Sequence, residues 1–173
     1  MVRRSHIAAA LVATLAAVIA PPLLAQASAD SFAGELLAEH NAERAALGLD
    51  PLTWSDELVR DAQGWADSLA RSSKLQHDKG RGEQGENLWK GTTGFFGAKD
   101  MIGGFLAERE YYRHGDAFPN VSTTGNWVDV GHYTQIVWRD TKEVGCAIAS
   151  NGKDDYLVCR YMPSGNWYGK PVY

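Results

Sequence analysis

The chain has 173 residues, enough for one compact domain with a short appendage at about 100–200 residues per domain. Hydrophobic residues make up 45% and charged residues 22%, the balance of a globular protein and not of a disordered one. The net charge is −4, and the only charged groups before Asp30 are Arg3 and Arg4, so the rest of the chain is more acidic still. Such a domain offers no general footprint for a phosphate backbone, and nucleic-acid binding is excluded on that ground.

Residues 1–29 have the make-up of a secretory signal peptide. Arg3-Arg4 begins it, an apolar run follows from Ile7 to Ala20, and Ala25-Gln26-Ala27 or Ala27-Ser28-Ala29 offers small residues for cleavage. The run meets Pro21-Pro22 before reaching the roughly 20 residues that span a bilayer, which makes a retained anchor the weaker reading. Twin-arginine export is weaker again, because Ser5-His6-Ile7 continues the pair poorly. No second apolar stretch of spanning length follows. The expectation is a mature domain of residues 30–173 without a transmembrane segment, monomeric, and exported to the periplasm or the extracellular space.

Phe32, Leu36, Leu37, Asn41, Arg44 and Leu47 recur at helical spacing, and Gly48 can end that helix. Pro51–Trp54 reads as an extended connection. Ser55 is placed to cap a second helix whose inner face carries Leu58, Ala62, Trp65, Ala66 and Leu69. The glycine-rich stretch from Gly80 to Gly97 reads as irregular, with room for a short strand at Leu88-Trp89. Lys99 to Arg113 is predicted as a third helix bearing Ile102, Phe105, Leu106 and Tyr112, although Gly103-Gly104 weakens it. Residues 114–130, with Pro119 and Gly125, read as a long surface loop.

The clearest local pattern lies near the C-terminus. Val144–Ser150 and Asp155–Tyr161 flank the turn-forming Asn151-Gly152-Lys153-Asp154, the signature of a β-hairpin. Folding about that turn sets Val144 opposite Tyr161, Cys146 opposite Cys159 and Ile148 opposite Leu157. The two cysteines then have the short Cα separation a disulfide needs, and in an oxidising compartment the bond is expected to form. Two free buried thiols are the alternative. Helices, strands and loops in this order describe an α+β domain with helices packed on an antiparallel sheet.

The chemistry-bearing residues carry no His-Glu-x-x-His, Gly-x-Ser-x-Gly, P-loop or dinucleotide fingerprint, and no organic cofactor is expected. With Cys146 and Cys159 bonded, no thiol nucleophile remains. Four blocks stand out instead: His40-Asn41-Ala42-Glu43-Arg44, Gly85-Glu86-Asn87-Leu88, the run from Gly131 to Trp138, and the run from Tyr156 to Trp167. Together, in this order, they resemble the CAP superfamily of cysteine-rich secretory proteins, antigen 5 and plant pathogenesis-related class 1 proteins, from about Leu36 to Tyr168.

That resemblance implies a three-layer α-β-α sandwich with a central antiparallel sheet and a large cleft lined by two histidines and two acids. Matched residue by residue, the histidines are His77, in Leu75-Gln76-His77, and His132, in Gly-His-Tyr-Thr-Gln. The acids are Glu86 and Glu108. Phe105 stands where the family has a tryptophan three residues before the second acid. In several members of the family the two histidines bind a divalent ion, often zinc, which implies the same role for His77 and His132. The chemistry is compatible: neutral imidazoles are good zinc ligands, and two of them leave positions open for water or a ligand. A neighbouring glutamate could orient each ring or take a proton from water.

Blander roles are set beside these. Glu86 could simply brace backbone near Asn87. His40, beside Asn41 and Arg44, is expected to be structural, and His114 to be a solvated loop residue. Trp54, Trp65, Trp138 and Trp167 are expected in the core, and Arg109 and Glu110 on a charged helix face. Three functions remain in view. The first is a secreted module whose cleft binds a divalent metal and a small, lipid or peptide ligand. The second is a metal-assisted or general-base hydrolase of protease-like type, in which His77, Glu86, Glu108 and His132 would be the catalytic set. The third is a rigid extracellular scaffold acting through loops such as 114–130. Binding is placed ahead of catalysis, since no nucleophile demands an enzyme.

Overall fold

The computed structural model describes residues 31–173. The signal peptide expected over residues 1–29 lies outside the described residues. In chain order the elements are α1 (Phe32–Ala46), β1 (Thr53–Trp54), α2 (Asp56–Ser72), β2 (Gly85–Thr92), α3 (Ala98–Leu106), α4 (Gly131–Ile136), β3 (Glu143–Ser150) and β4 (Asp154–Met162). Two 3-10 turns, Ala107–Tyr111 and Trp127–Val130, lead out of α3 and into α4.

The strands form one sheet in the order β1-β3-β4-β2. The three long strands are antiparallel, while the two-residue β1 adds a parallel edge to β3. The hairpin register is the expected one, with Val144 opposite Tyr161, Cys146 opposite Cys159 and Ile148 opposite Leu157. Cys146 and Cys159 are disulfide-bonded, with their Cα atoms 4.1 Å apart.

Side chains alternate across the sheet, so each face collects its own core. One face, with Leu88, Ala147, Tyr156 and Val158, packs under Ala62, Ala66 and Leu69 of α2. The other, with Cys146, Leu157, Cys159 and Tyr161, meets Leu36 of α1, Met101, Ile102 and Phe105 of α3, and Ile136 of α4. Helix, sheet and helix therefore make three layers. Each fully buried leucine or isoleucine contributes about 1.5–3 kcal/mol to holding them together. Gly145 lets α2 approach β3 closely, since a Cβ there would fall 2.6 Å from the Ser55 carbonyl oxygen and the Val59 nitrogen.

Several local expectations change in the folded chain. Ser31 caps α1, its Oγ accepting from the Gly34 N–H at 3.1 Å, and Gly48 follows the helix with a positive φ of 69°. Ser55 takes the extended N-cap conformation before α2, but its side chain makes no capping bond. The stretch around Leu88 is not a short strand but eight residues long, because every residue of β2 finds a partner on β4. The third helix stops at Leu106 and tightens into the 3-10 turn carrying Glu108. The exit of the chain at Tyr112 (an isolated bridge to Ser122) ends the helical run early. The short helix α4 follows the loop that the sequence left unstructured. Trp138 is a core residue at 3% exposure, but Trp167 is 57% exposed and is no core residue.

Candidate functional site

Two histidine–glutamate pairs meet one cleft, and each is held in place differently. Between α2 and β2 the chain has no helix or strand, only turns and irregular backbone. His77 lies on this connection with its side chain 57% exposed, while the Glu86 side chain on β2 is fully buried. His77 Nδ1 donates to Glu86 Oε1 at 2.6 Å, and the Asp78 backbone N–H donates to the same oxygen at 3.1 Å. Trp65 of α2 adds a tether, its Nε1–H donating to the Gln76 carbonyl at 3.0 Å. Behind Glu86, the buried guanidinium of Arg160 on β4 lies 3.1 Å from Glu86 Oε2 and 2.8 Å from Asp78 Oδ2. Burial by itself would raise the Asp78 carboxyl. The Arg160 and Gly80 hydrogen bonds, with the charges of Arg160 and Arg81, outweigh that and hold it below its ordinary range.

His132 sits in the first turn of α4. Its Nδ1 donates to Glu108 Oε1 at 2.5 Å, and its ring stacks on Phe105 with centroids 4.7 Å apart. Glu108 Oε2 accepts the backbone N–H groups of His132 and Tyr133 at 2.9 and 3.0 Å. A carboxylate at the start of a helix satisfies otherwise unpaired N–H groups and complements the helix dipole. Glu108 thus fixes α4 and the ring it carries in one contact.

The cleft has a volume of about 450 Å³, and His77, Glu86 and His132 all line it. Glu108 stands behind His132 and is not on the wall. Since a carboxylate oxygen accepts, Nδ1 carries a proton in both rings, and in the neutral form of each ring Nε2 is the nitrogen with the lone pair. Among the described residues no protein group bonds to either Nε2. This donor set suits a divalent ion held by His77 and His132. No group of three or more His, Cys, Asp or Glu side chains converges as a metal nest among the described residues, so an ion here would take its remaining ligands from water or from a bound molecule.

The rest of the matched blocks is framework. His40 is fully buried, donating from Nδ1 to the Leu36 carbonyl at 2.7 Å and accepting at Nε2 from the Tyr161 hydroxyl at 2.8 Å. Burial drives its pKa down to about 4, aided by the charge of Arg44 and opposed by the Leu36 bond, so it is neutral and structural as expected. Arg44 is wholly buried and donates to the carbonyls of Asp50, Ile136, Trp138 and Thr141. Asn87 donates to the His132 carbonyl at 3.0 Å and to the Tyr161 hydroxyl at 3.2 Å, tying β2 to α4 across the cleft floor. Gly85 leaves room for Gln135: a Cβ there would lie 2.1 Å from Gln135 Oε1, and that side chain would have to move. His114 is exposed, as expected.

Sequence reasoning missed three things. Arg109 is not idle, for its Nη1 donates to Glu43 Oε2 at 2.8 Å. Trp127 and Tyr168 form part of the cleft wall, braced edge-on by buried Phe118. Arg160 is the buried cation behind Glu86. Its signal was a charge inside the apolar run from Tyr156 to Tyr161, a position that must either bulge out or find a buried partner.

Comparison with known proteins agrees with this architecture. The model of the cysteine-rich secretory protein (CAP) family matches residues 37–161. The chain belongs to that family. Pathogenesis-related protein 1A of Nicotiana tabacum is 37% identical over 140 residues, covering 80% of this chain and 79% of its own. Venom allergen 5 of Polistes dominula is 35% identical over 139 residues, covering 75% of this chain and 58% of its own. Among solved structures, NaASP2 with Zn2+ superposes with a TM-score of 0.66 at 23% identity, covering 80% of this chain and 83% of that one, and shows the shared fold.

Proposed function

We propose that this CAP domain is an exported binding module. Its cleft takes a divalent cation, zinc foremost, through Nε2 of His77 and His132, and a small, lipid or peptide ligand beside it. The observation that carries the proposal is the repeated pairing of Nδ1 with a buried or half-buried glutamate. Two rings that line one cleft are oriented that way, and neither Nε2 bonds to a protein group among the described residues. Glu86 and Glu108 orient the rings and raise their basicity as ligands. Bound there, an ion would supply Lewis acidity and an attachment point for an anionic ligand group. That a relative of this fold was solved with Zn2+ supports the choice of ion. Export is supported by the signal-like residues 1–29 and by the secretory family to which the chain belongs.

Titration of the purified protein with zinc by calorimetry tests the metal claim. About one ion per chain is expected, with binding lost in a His77→Ala/His132→Ala double variant. Binding that survives the double variant would overturn it. The same His–Glu pairs have the make-up of a general base, so hydrolysis is the second reading. A hydrolytic activity lost in His132→Ala, with ligand binding retained, would favour it.

A further inference from the structure

The two halves of the cleft differ in what holds them. His132 is carried by a helix whose N–H groups grip Glu108 directly. His77 is carried by an irregular connection that has no ladder of its own. Its place depends on Glu86, and Glu86 is a buried carboxylate with a buried arginine at its back. We infer that Arg160 is the positioning residue of the His77 half of the cleft. The inference that His77 works in the cleft rests on the proposal above; the claim about what positions it does not.

Arg160 is 1% exposed and stands opposite Glu86 in the β2–β4 register. It reaches the connection from two directions. Through Nη2 it donates to Asp78 Oδ2 at 2.8 Å, and it lies 3.1 Å from Glu86 Oε2. Asp78 is the residue after His77, and Glu86 is the residue His77 bonds to. One guanidinium therefore grips the segment at its backbone neighbour and at its hydrogen-bond partner. Arg81 adds a local clasp within the connection, its Nη1 donating to the Asp78 carbonyl at 2.6 Å.

The contact with Glu86 is one of charge. Glu86 Oε2 makes no hydrogen bond to protein in the structure, and Nε and Nη1 of Arg160 make none either. A carboxylate buried beside a cation that is not aligned as a donor is held by the cation's field. Two carboxylates, Glu86 and Asp78, share the Arg160 guanidinium. His77 supplies the remaining positive edge through its Nδ1–H. Removing Arg160 leaves Glu86 without a compensating cation and Asp78 without its anchor, and the reason for His77 to face the cleft goes with them. A lysine retains the charge. A glutamine retains much of the shape and loses it.

The test reads the histidine rings and amide exchange on the full chain without metal, so that it stands apart from zinc binding. Ring 1H–15N correlations in wild type should show both histidines protonated at Nδ1. In Arg160→Gln, His77 should become a mixture of tautomers while His132 is unchanged, and the Asp78 amide should exchange about tenfold faster or more. Arg160→Lys should restore most of the wild-type His77 signature, as a role in charge requires. Should Arg160→Gln fail to fold, Asp78→Asn removes one of the two grips alone: it should speed exchange at position 78 and leave His132 in place. An unchanged His77 ring in Arg160→Gln, or unchanged exchange at position 78 in Asp78→Asn, would overturn the inference, and so would loosening of His132 to the same degree. If zinc fails to bind wild type while the His77 changes appear, the metal proposal falls and the positioning role stands.

Discussion

The His77–Glu86 and His132–Glu108 pairs have the same chemistry and nearly the same hydrogen bond, yet they are supported by opposite means. On the His132 side a carboxylate satisfies the backbone at the start of a short helix, so local structure and side-chain geometry reinforce each other. On the His77 side the backbone is irregular, and an ion cluster of buried Glu86 and Arg160 with half-buried Asp78 supplies the order. A two-sided site need not be symmetrical in its physics. One wall is as stable as a helix start, and the other is as stable as a buried charge is well compensated.

The largest expected effect comes from Arg44, because it holds the far end of α4 through the Ile136 and Trp138 carbonyls. Arg44→Met should cost roughly 3–5 kcal/mol in urea denaturation, since buried carbonyls lose charge-assisted partners. Amide exchange should quicken around His132 before it does around Glu86. Equal loosening of both walls would break the distinction between them. Next is the Cys146→Ser/Cys159→Ser double variant, expected to cost about 3 kcal/mol for a loop this short. Its effect should fall on the sheet that carries Glu86 and Arg160, again read by denaturation and exchange.

The third histidine gives an internal control. His40 is buried with its pKa lowered to about 4, so the unfolded chain takes up a proton that the folded one refuses. Its contribution is fully present above the unfolded value of about 6.5 and is lost as pH falls toward about 4, by roughly 3 kcal/mol at most. Denaturation at pH 7 and pH 5 should show that decline, while the His40 ring itself stays neutral at pH 5. A flat profile across that interval would contradict the assignment. The smallest effect belongs to Glu108→Ala, expected to cost roughly 1–2 kcal/mol as a helix cap is lost. It should disorder the His132 ring and leave the His77 tautomer alone, which is the sharpest separation of the two halves by a single substitution.

Much of the fold was legible because it rests on local signals. The hairpin register followed from one turn and two β-prone runs, and with it came the Cys146–Cys159 pairing. The inner face of α2 was readable from periodicity alone. What escaped was decided at long range. β2 lies in a glycine-rich stretch that looks irregular until β4 is beside it, and the third helix ends early where the chain turns into the 3-10 segment that brings Glu108 to α4. Of the site, His77, Glu86, Glu108 and His132 came from the resemblance, not from spacing. Arg160 came from neither. A buried cation is invisible to periodicity, because its partners, eight residues apart in Asp78 and Glu86, meet it only once the sheet edge has formed.

The central claim is that two imidazole nitrogens from the two walls hold one ion. X-ray absorption at the zinc edge of the loaded full chain tests it most directly. The spectrum should fit two imidazole nitrogens with oxygen completing the shell. A shell of oxygen alone, or one with a single imidazole, would contradict it and leave the paired histidines as parts of a cleft for a metal-free ligand.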